Sequence, residues 1–207
     1  MGTWELAATA RTDFADMVEP LSDEQLGQQT LCNEWDAKGV LAHLVMFTEL
    51  GAVSFFTTIA KKRFDIEKAW LAAAAERRER PTADLIATLR QKATASAPLP
   101  GFPEGMTVAD VAIHTQDVRR PLGLSGSLNE EVVATALEFL ATSKQAKQLV
   151  APPALDGLSL HATDLGWKHG DGAEVAGTGE AIMMALAHRP VLDELSGEGV
   201  AQFASRV

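Results

Sequence analysis

One cysteine, Cys32, is all the thiol this sequence holds. An internal disulfide framework is therefore excluded, and so is a zinc site built from several cysteines. Positive charge is also scarce: 18 lysines and arginines stand against 28 aspartates and glutamates, a formal net charge of −10. A surface of that sign repels phosphates, which argues against nucleic acid and against an anionic membrane as partners. Long apolar runs are missing too. The nearest approach, GVLAHLVMF at 39–47, falls well short of the ~18 residues of a membrane span and carries His43. The stretch MGTWELAATARTDF has no basic region leading into an apolar one, and Leu6 stands where a myristoylation signal needs Ser or Thr. These absences together predict a cytoplasmic protein.

What is present fits a soluble globular chain. Hydrophobic residues make up 46% and charged residues 22% of 207 positions, enough for a substantial core in one large domain or a main domain with an appendage. Residues 1–150 read as helical. Leu6, Ala10, Phe14, Met17, Val18 and Leu21 recur at helical spacing, and Pro20 stops that first helix. The segment SDEQLGQQTLCNEW at 22–35 reads as a polar loop. Asp36 is an N-cap for a second helix over about 37–61, with Val40, Leu41, Leu44, Val45, Phe47 and Leu50 as its apolar positions; Gly39 and Gly51 weaken it slightly. Trp35, just before the cap, is placed to staple the helix start against its fourth residue. A third helical stretch covers about 64–79, and another opens at Pro81-Thr82.

APLPGFPEG at 97–105 is a loop, with three prolines and two glycines. A helix then starts at Met106-Thr107, with Thr107 as its cap and Asp110 at the capping-box position, and ends at Pro121-Leu-Gly123. One more runs from about Asn129 to Val150. Short loops between amphipathic helices predict an antiparallel four-helix bundle. Pro152-Pro153 breaks the pattern, and Leu158, Leu160 and Ala162 then alternate as in a strand. A Gly-rich turn, a short strand at 173–176 and a helix capped by Thr178 follow, with Glu180 in its first turn. The expected organisation is a helical bundle over 1–150 and a small α+β domain over 154–207.

Of the five histidines, two fall inside the expected bundle helices. His114 lies one turn after Asp110, so both side chains project from one face. That spacing suits joint presentation of a carboxylate oxygen and an imidazole nitrogen to one ion. The same pattern also fits an ordinary surface pair, and His43 alone also fits a satisfied core histidine. If the helices face each other, His43, Asp110 and His114 give three N/O ligands and leave positions open, as in catalytic metal sites. Such donors suit Zn first, with Ni or Fe as alternatives, over Mg or Ca. His161, His169 and His188 lie in or near the appendage without an acidic partner at ligand spacing and read as exposed non-ligands.

Three motifs carry a family resemblance. TLCNEWDAKGVLAHLV at 30–45 resembles the Thr-x-Cys-x-x-Trp…His-Leu signature of the DinB-like, mycothiol-dependent maleylpyruvate isomerase N-terminal family. MTVADVAIHTQDVRRPLG at 106–123 is similar to that family's acidic-x-x-x-His helix, most of all in an actinobacterial subgroup. Residues 157–189 resemble the small C-terminal domain found behind the bundle, with its Ala-Thr-Asp, Gly-x-Gly, Val-x-Gly and final Arg.

The resemblance implies a bundle holding one divalent metal through His43, Asp110 and His114. It also implies a low-molecular-weight thiol, mycothiol, as cosubstrate for isomerisation or S-transfer on a small electrophile. The family's isomerase has Glu where this sequence has Asp110, one methylene shorter. Asp117 then becomes a group that orients a ligand, and Cys32 a neighbour of the site. A metal-dependent hydrolase and a non-catalytic metal- or ligand-binding regulatory protein are the competing functions, and monomer and weak homodimer are both open.

Overall fold

The structure, a computed structural model, describes residues 1–49, 57, 66–95 and 103–207. It is mainly α with a small three-stranded sheet towards the C-terminus, as expected. Helices α1 (Thr3–Val18), α2 (Asp23–Leu26), α3 (Ala37–Glu49), α4 (Ile66–Arg78) and α5 (Thr82–Gln91) come first. Next are α6 (Glu104–Arg119), α7 (Glu130–Thr142) and a 3₁₀ turn at Lys144–Gln148. Strands β1 (Leu158–Ala162), β2 (Trp167–His169) and β3 (Ala173–Gly177) follow, then α8 (Gly179–Leu186) and α9 (Val200–Ala204). The chain divides into two compact units, Met1–Glu104 with Asp117–Ser125, and Gly105–Gln116 with Gly126–Val207.

In the first unit α3 packs against α4 and α5, and α1 against α5. The apolar face of α1 is the one its spacing predicted: Leu6, Ala10, Phe14 and Val18 are buried, while Met17 and Leu21 are half-exposed. On α3 the expected positions Val40, Leu41, Leu44 and Val45 are buried, and Leu50 lies outside the described residues. Gly39 has a positive use there. A Cβ at this position would sit 3.0 Å from the Trp35 Cβ, so the glycine lets the entering chain lie close on the helix. The stretch 22–35 differs from the expected loop. Ser22 accepts from the Gln25 N–H at 3.2 Å and Gln25 returns a bond to the Ser22 N–H at 3.0 Å, a capping box that starts α2.

The start of α6 is also corrected. It begins at Glu104, a turn before Thr107, which therefore lies inside the helix and is not its cap. A carboxylate in the first turn is favoured by the helix dipole, and Gly105 allows the Phe139 ring to approach a position where a Cβ would stand 3.3 Å from it.

In the second unit β1 is central: it pairs antiparallel with β2 and parallel with β3. Leu158, Leu160 and Ala162 point into the core, as their alternation predicted. Helix α8 packs on β1, β3 and α7. Its cap is the expected one: Thr178 accepts from the Ala181 N–H at 3.2 Å. Two acidic side chains tie α8 in. Asp164 accepts from the Gly179 N–H at 2.8 Å and Glu180 from the Leu128 N–H at 2.7 Å. The tight turn before β3 requires glycine at 172, with φ +150° and a Gly157 carbonyl oxygen 2.2 Å from where a Cβ would stand.

Candidate metal centre

Helix α3 carries His43 in its middle, and its start is set by Asp36. The Asp36 carboxylate accepts from the Gly39 N–H at 2.7 Å, the expected N-cap bond, and is also paired with Arg78 on α4. Burial pushes this carboxyl up, but the Arg78 hydrogen bond, the Gly39 N–H and the charges of Arg78 and Lys38 outweigh it and hold it below its usual range. The sign follows from that depression. Its stabilising contribution is present above about pH 4 and is lost as pH falls below that value. We expect Asp36→Asn, which keeps a cap acceptor but no charge, to flatten that acid limb. Chemical denaturation of both proteins between pH 3 and pH 6 should show a difference of about 1 kcal/mol in slope-integrated stability. Parallel curves would remove Asp36 from the account.

The loop before α3 is held by its own side chains. Thr30 Oγ1 donates to the Trp35 carbonyl at 2.7 Å, and the Gln29 side-chain amide donates to the Cys32 carbonyl at 2.8 Å. The Leu31 N–H bonds to the Asp117 carbonyl at 3.1 Å, which ties this loop to the last turn of α6. Trp35 differs from the expected staple in its ring partner. Its indole lies against the imidazole of His43, with centroids 4.2 Å apart, and Phe47 meets the same imidazole edge-on at 4.9 Å. Two rings thus restrict how His43 can turn.

On α6 the one-turn spacing puts Asp110 and His114 side by side, with Oδ1 and Nε2 3.7 Å apart. His43, Asp110 and His114 each offer one donor atom, all within 4.8 Å of one another, and all three are buried. Two imidazole nitrogens and a carboxylate oxygen are the donor types of Zn, Ni and Fe sites. Burying a carboxylate is costly without a compensating charge, which a cation supplies. The residues present therefore fit a divalent ion. A second grouping shares His114: the Cys32 sulfur, a His114 nitrogen and an Asp117 oxygen also lie within 4.8 Å of one another. Cys32 is buried and its thiol donates to the Glu34 carboxylate at 3.2 Å.

Asp117 and Arg119 are more than a solvated helix end. Thr115, Gln116, Asp117 and Arg119 are all buried. No local pattern signals this, because VAIHTQDVRR carries more polar than apolar positions and nothing in its periodicity marks an inner face. Of the appendage histidines only His188 is exposed as expected; His169 is half-buried beside the Trp167 ring, with centroids 6.0 Å apart, and His161 departs further. It is half-buried, and its Nδ1 lies 3.5 Å from Glu174 on the neighbouring strand, a partner supplied by strand pairing and invisible to linear spacing. His188 is exposed and bonds the Ala151 carbonyl through Nε2 at 3.1 Å.

The class so defined is a mainly helical fold with a small C-terminal sheet and a His/Asp/His donor set. Residues 7–99 match the family model described as the mycothiol maleylpyruvate isomerase N-terminal domain, which bears out the resemblance read from the sequence. A crystal structure of the mycothiol-dependent maleylpyruvate isomerase superimposes with a TM-score of 0.63 at 15% identity, over 95% of this chain and 91% of that one. A histidine-to-alanine mutant of that enzyme gives the same values. At 15% identity the likeness is one of fold, the DinB-like one expected. No curated protein matches the sequence significantly. Among the described residues no helix is long and apolar enough to cross a membrane.

Proposed function

We propose that this chain holds one divalent ion through His43, Asp110 and His114 and acts with a low-molecular-weight thiol of the mycothiol type on a small electrophile. The reaction is an isomerisation by addition and release, or an S-transfer. The observation that carries the reading is the gathering of three buried donors of mixed N and O type within 4.8 Å. The match of residues 7–99 to the maleylpyruvate isomerase N-terminal family supports the thiol. A divalent ion at such a site supplies Lewis acidity, which lowers the pKa of a thiol and keeps it ionised at neutral pH.

The chain's own residues do the positioning. Trp35 and Phe47 hold the His43 ring, and the α6 backbone holds Asp110 and His114 one turn apart. Asp117, buried and less than a turn from His114, orients the donor set from behind. In the addition step a carbon–sulfur bond forms as the electrophile's π bond opens; rotation and expulsion of the thiolate then return the thiol unchanged.

The test has two stages. Chain purified without chelators should carry close to one divalent ion by mass spectrometry; less than about 0.2 per chain would overturn the reading. The loaded chain should then turn over an activated alkene or S-acceptor only when mycothiol is added. Metal without thiol-dependent turnover would leave the non-catalytic binding protein in its place, and turnover with water alone would leave the hydrolase.

A further inference from the structure

The proposed reaction gives Thr30 nothing to do, yet its hydroxyl is the hub of the loop that precedes α3. Thr30 is 5% exposed. Its one hydroxyl hydrogen goes to the Trp35 carbonyl at 2.7 Å, the nearer of two acceptors; the other is the Cys32 carbonyl at 3.1 Å. The hydroxyl oxygen accepts the Cys32 N–H at 3.1 Å. Around this group the chain folds back on itself. Gln29 and Asp36 form an antiparallel bridge, and the Ala37 N–H bonds the Gln28 carbonyl at 3.1 Å. The Gln29 amide adds bonds to the Cys32 and Trp35 carbonyls at 2.8 and 3.1 Å, but Gln29 is exposed, so water can stand in for it. At the depth of Thr30 a lost bond stays unmade.

What this latch holds is the stem of one ring. Fixing the Trp35 carbonyl fixes the backbone from which its indole projects. The indole lies on the His43 imidazole, with centroids 4.2 Å apart and planes 34° from parallel. The fit is close: a Cβ at Gly39 would stand 3.0 Å from the Trp35 Cβ and 3.2 Å from its Cδ1. A shift of the Trp35 backbone therefore drives the ring against α3 or off the imidazole. His43 is 6% exposed and is one of the three donors gathered within 4.8 Å. Groups that orient a ligating imidazole matter about 10–100-fold in metal affinity. A threonine that served only its own turn would satisfy the Cys32 N–H and end there; the bonds of Thr30 lead on to a ring stacked on a donor.

We propose that Thr30 is a positioning residue: through the Trp35 carbonyl it holds the indole on His43 and so sets the orientation of that imidazole. The consequence for the metal rests on the function proposed above; the ring geometry does not. The first measurement uses the full chain, stripped of metal by chelator. The difference in chemical shift of the His43 ring protons between the native chain and Trp35→Leu reads the ring current of the indole. Thr30→Val and Thr30→Ala, which both remove the hydroxyl, should each lose at least about half of that difference, while Thr30→Ser, which keeps it, should lose less than about a quarter. An undiminished difference in the hydroxyl-free variants would overturn the proposal, and so would a Thr30→Ser chain that behaves like Thr30→Val. The second measurement is the affinity for Zn²⁺, by competition with a chromophoric chelator. Thr30→Val and Trp35→Leu should each weaken it about tenfold, and the double variant also by only about tenfold, because both act through one ring. Multiplication to about a hundredfold would mean two independent effects and would overturn the coupling. A native chain that binds no Zn²⁺ ends the metal reading alone, and the ring protons still decide the role of Thr30.

Discussion

His114→Ala should leave the fold standing and empty the proposed centre. His114 is a donor in both groupings, with His43 and Asp110 and with Cys32 and Asp117, so neither of these two sets among the described residues survives its loss. Changing a residue that only supports a ligand already costs 10–100-fold in metal affinity or activity, so removal of a ligand itself should exceed about 100-fold. The metal found after purification should drop to less than about a tenth of the native level, and thiol-dependent turnover with it. Alanine is the best helix former, so α6 itself does not object. The melting curve of the metal-free proteins should therefore differ by only a few degrees. Native metal content in His114→Ala, or turnover unchanged by it, would end the proposed mechanism. His43→Ala makes the same forecast for the metal but also removes the ring between Trp35 and Phe47, so it is the less clean variant.

Arg11→Met should be the largest purely structural loss. Arg11 is 2% exposed, and one of its guanidinium nitrogens donates at 2.7 Å to each of the Ala93 and Ala95 carbonyls, which follow the end of α5. Helix ends leave carbonyls without intrahelical partners, and a cation there satisfies them and suits the dipole. Methionine preserves the aliphatic stem but strands both acceptors, that of Ala93 in a buried place and that of Ala95 in a half-buried one. Leaving such groups unmade costs about 2–4 kcal/mol in total. Arg11→Lys should recover only part of it, because an ammonium is more strongly hydrated than a guanidinium and costs more to bury. Urea unfolding should give this loss with an unchanged m-value. A loss under about 0.5 kcal/mol for Arg11→Met would mean that water replaces the guanidinium.

Chemistry that acts over a few residues was legible from the chain alone. The caps Asp36 and Thr178 accept from the N–H groups their positions imply, at 2.7 and 3.2 Å. The alternation at 158–162 buries the three residues it named, and the one-turn pairing of Asp110 with His114 holds. Each of these depends on backbone geometry that repeats every two or every 3.6 residues. The donor set was assembled from a family pattern, because spacing along a chain contains no information about which two helices meet.

What the tertiary structure decided is of that second kind. The Trp35 ring chose His43, helped by the absence of a side chain at Gly39. Arg11 reads in the sequence as one more charged residue on an amphipathic helix, yet two carbonyls from a segment far along the chain take it out of water. Asp117, Thr115 and Gln116 are buried although their helix has no evident inner stripe, and His161 acquires Glu174 through the pairing of β1 with β3. The sequence by itself determined most of the elements, the caps at Asp36 and Thr178 and the donor types, since these follow from local propensity and hydrogen-bond chemistry. Only the packed chain determined which polar groups are buried, because burial depends on contacts between segments that share no local signal.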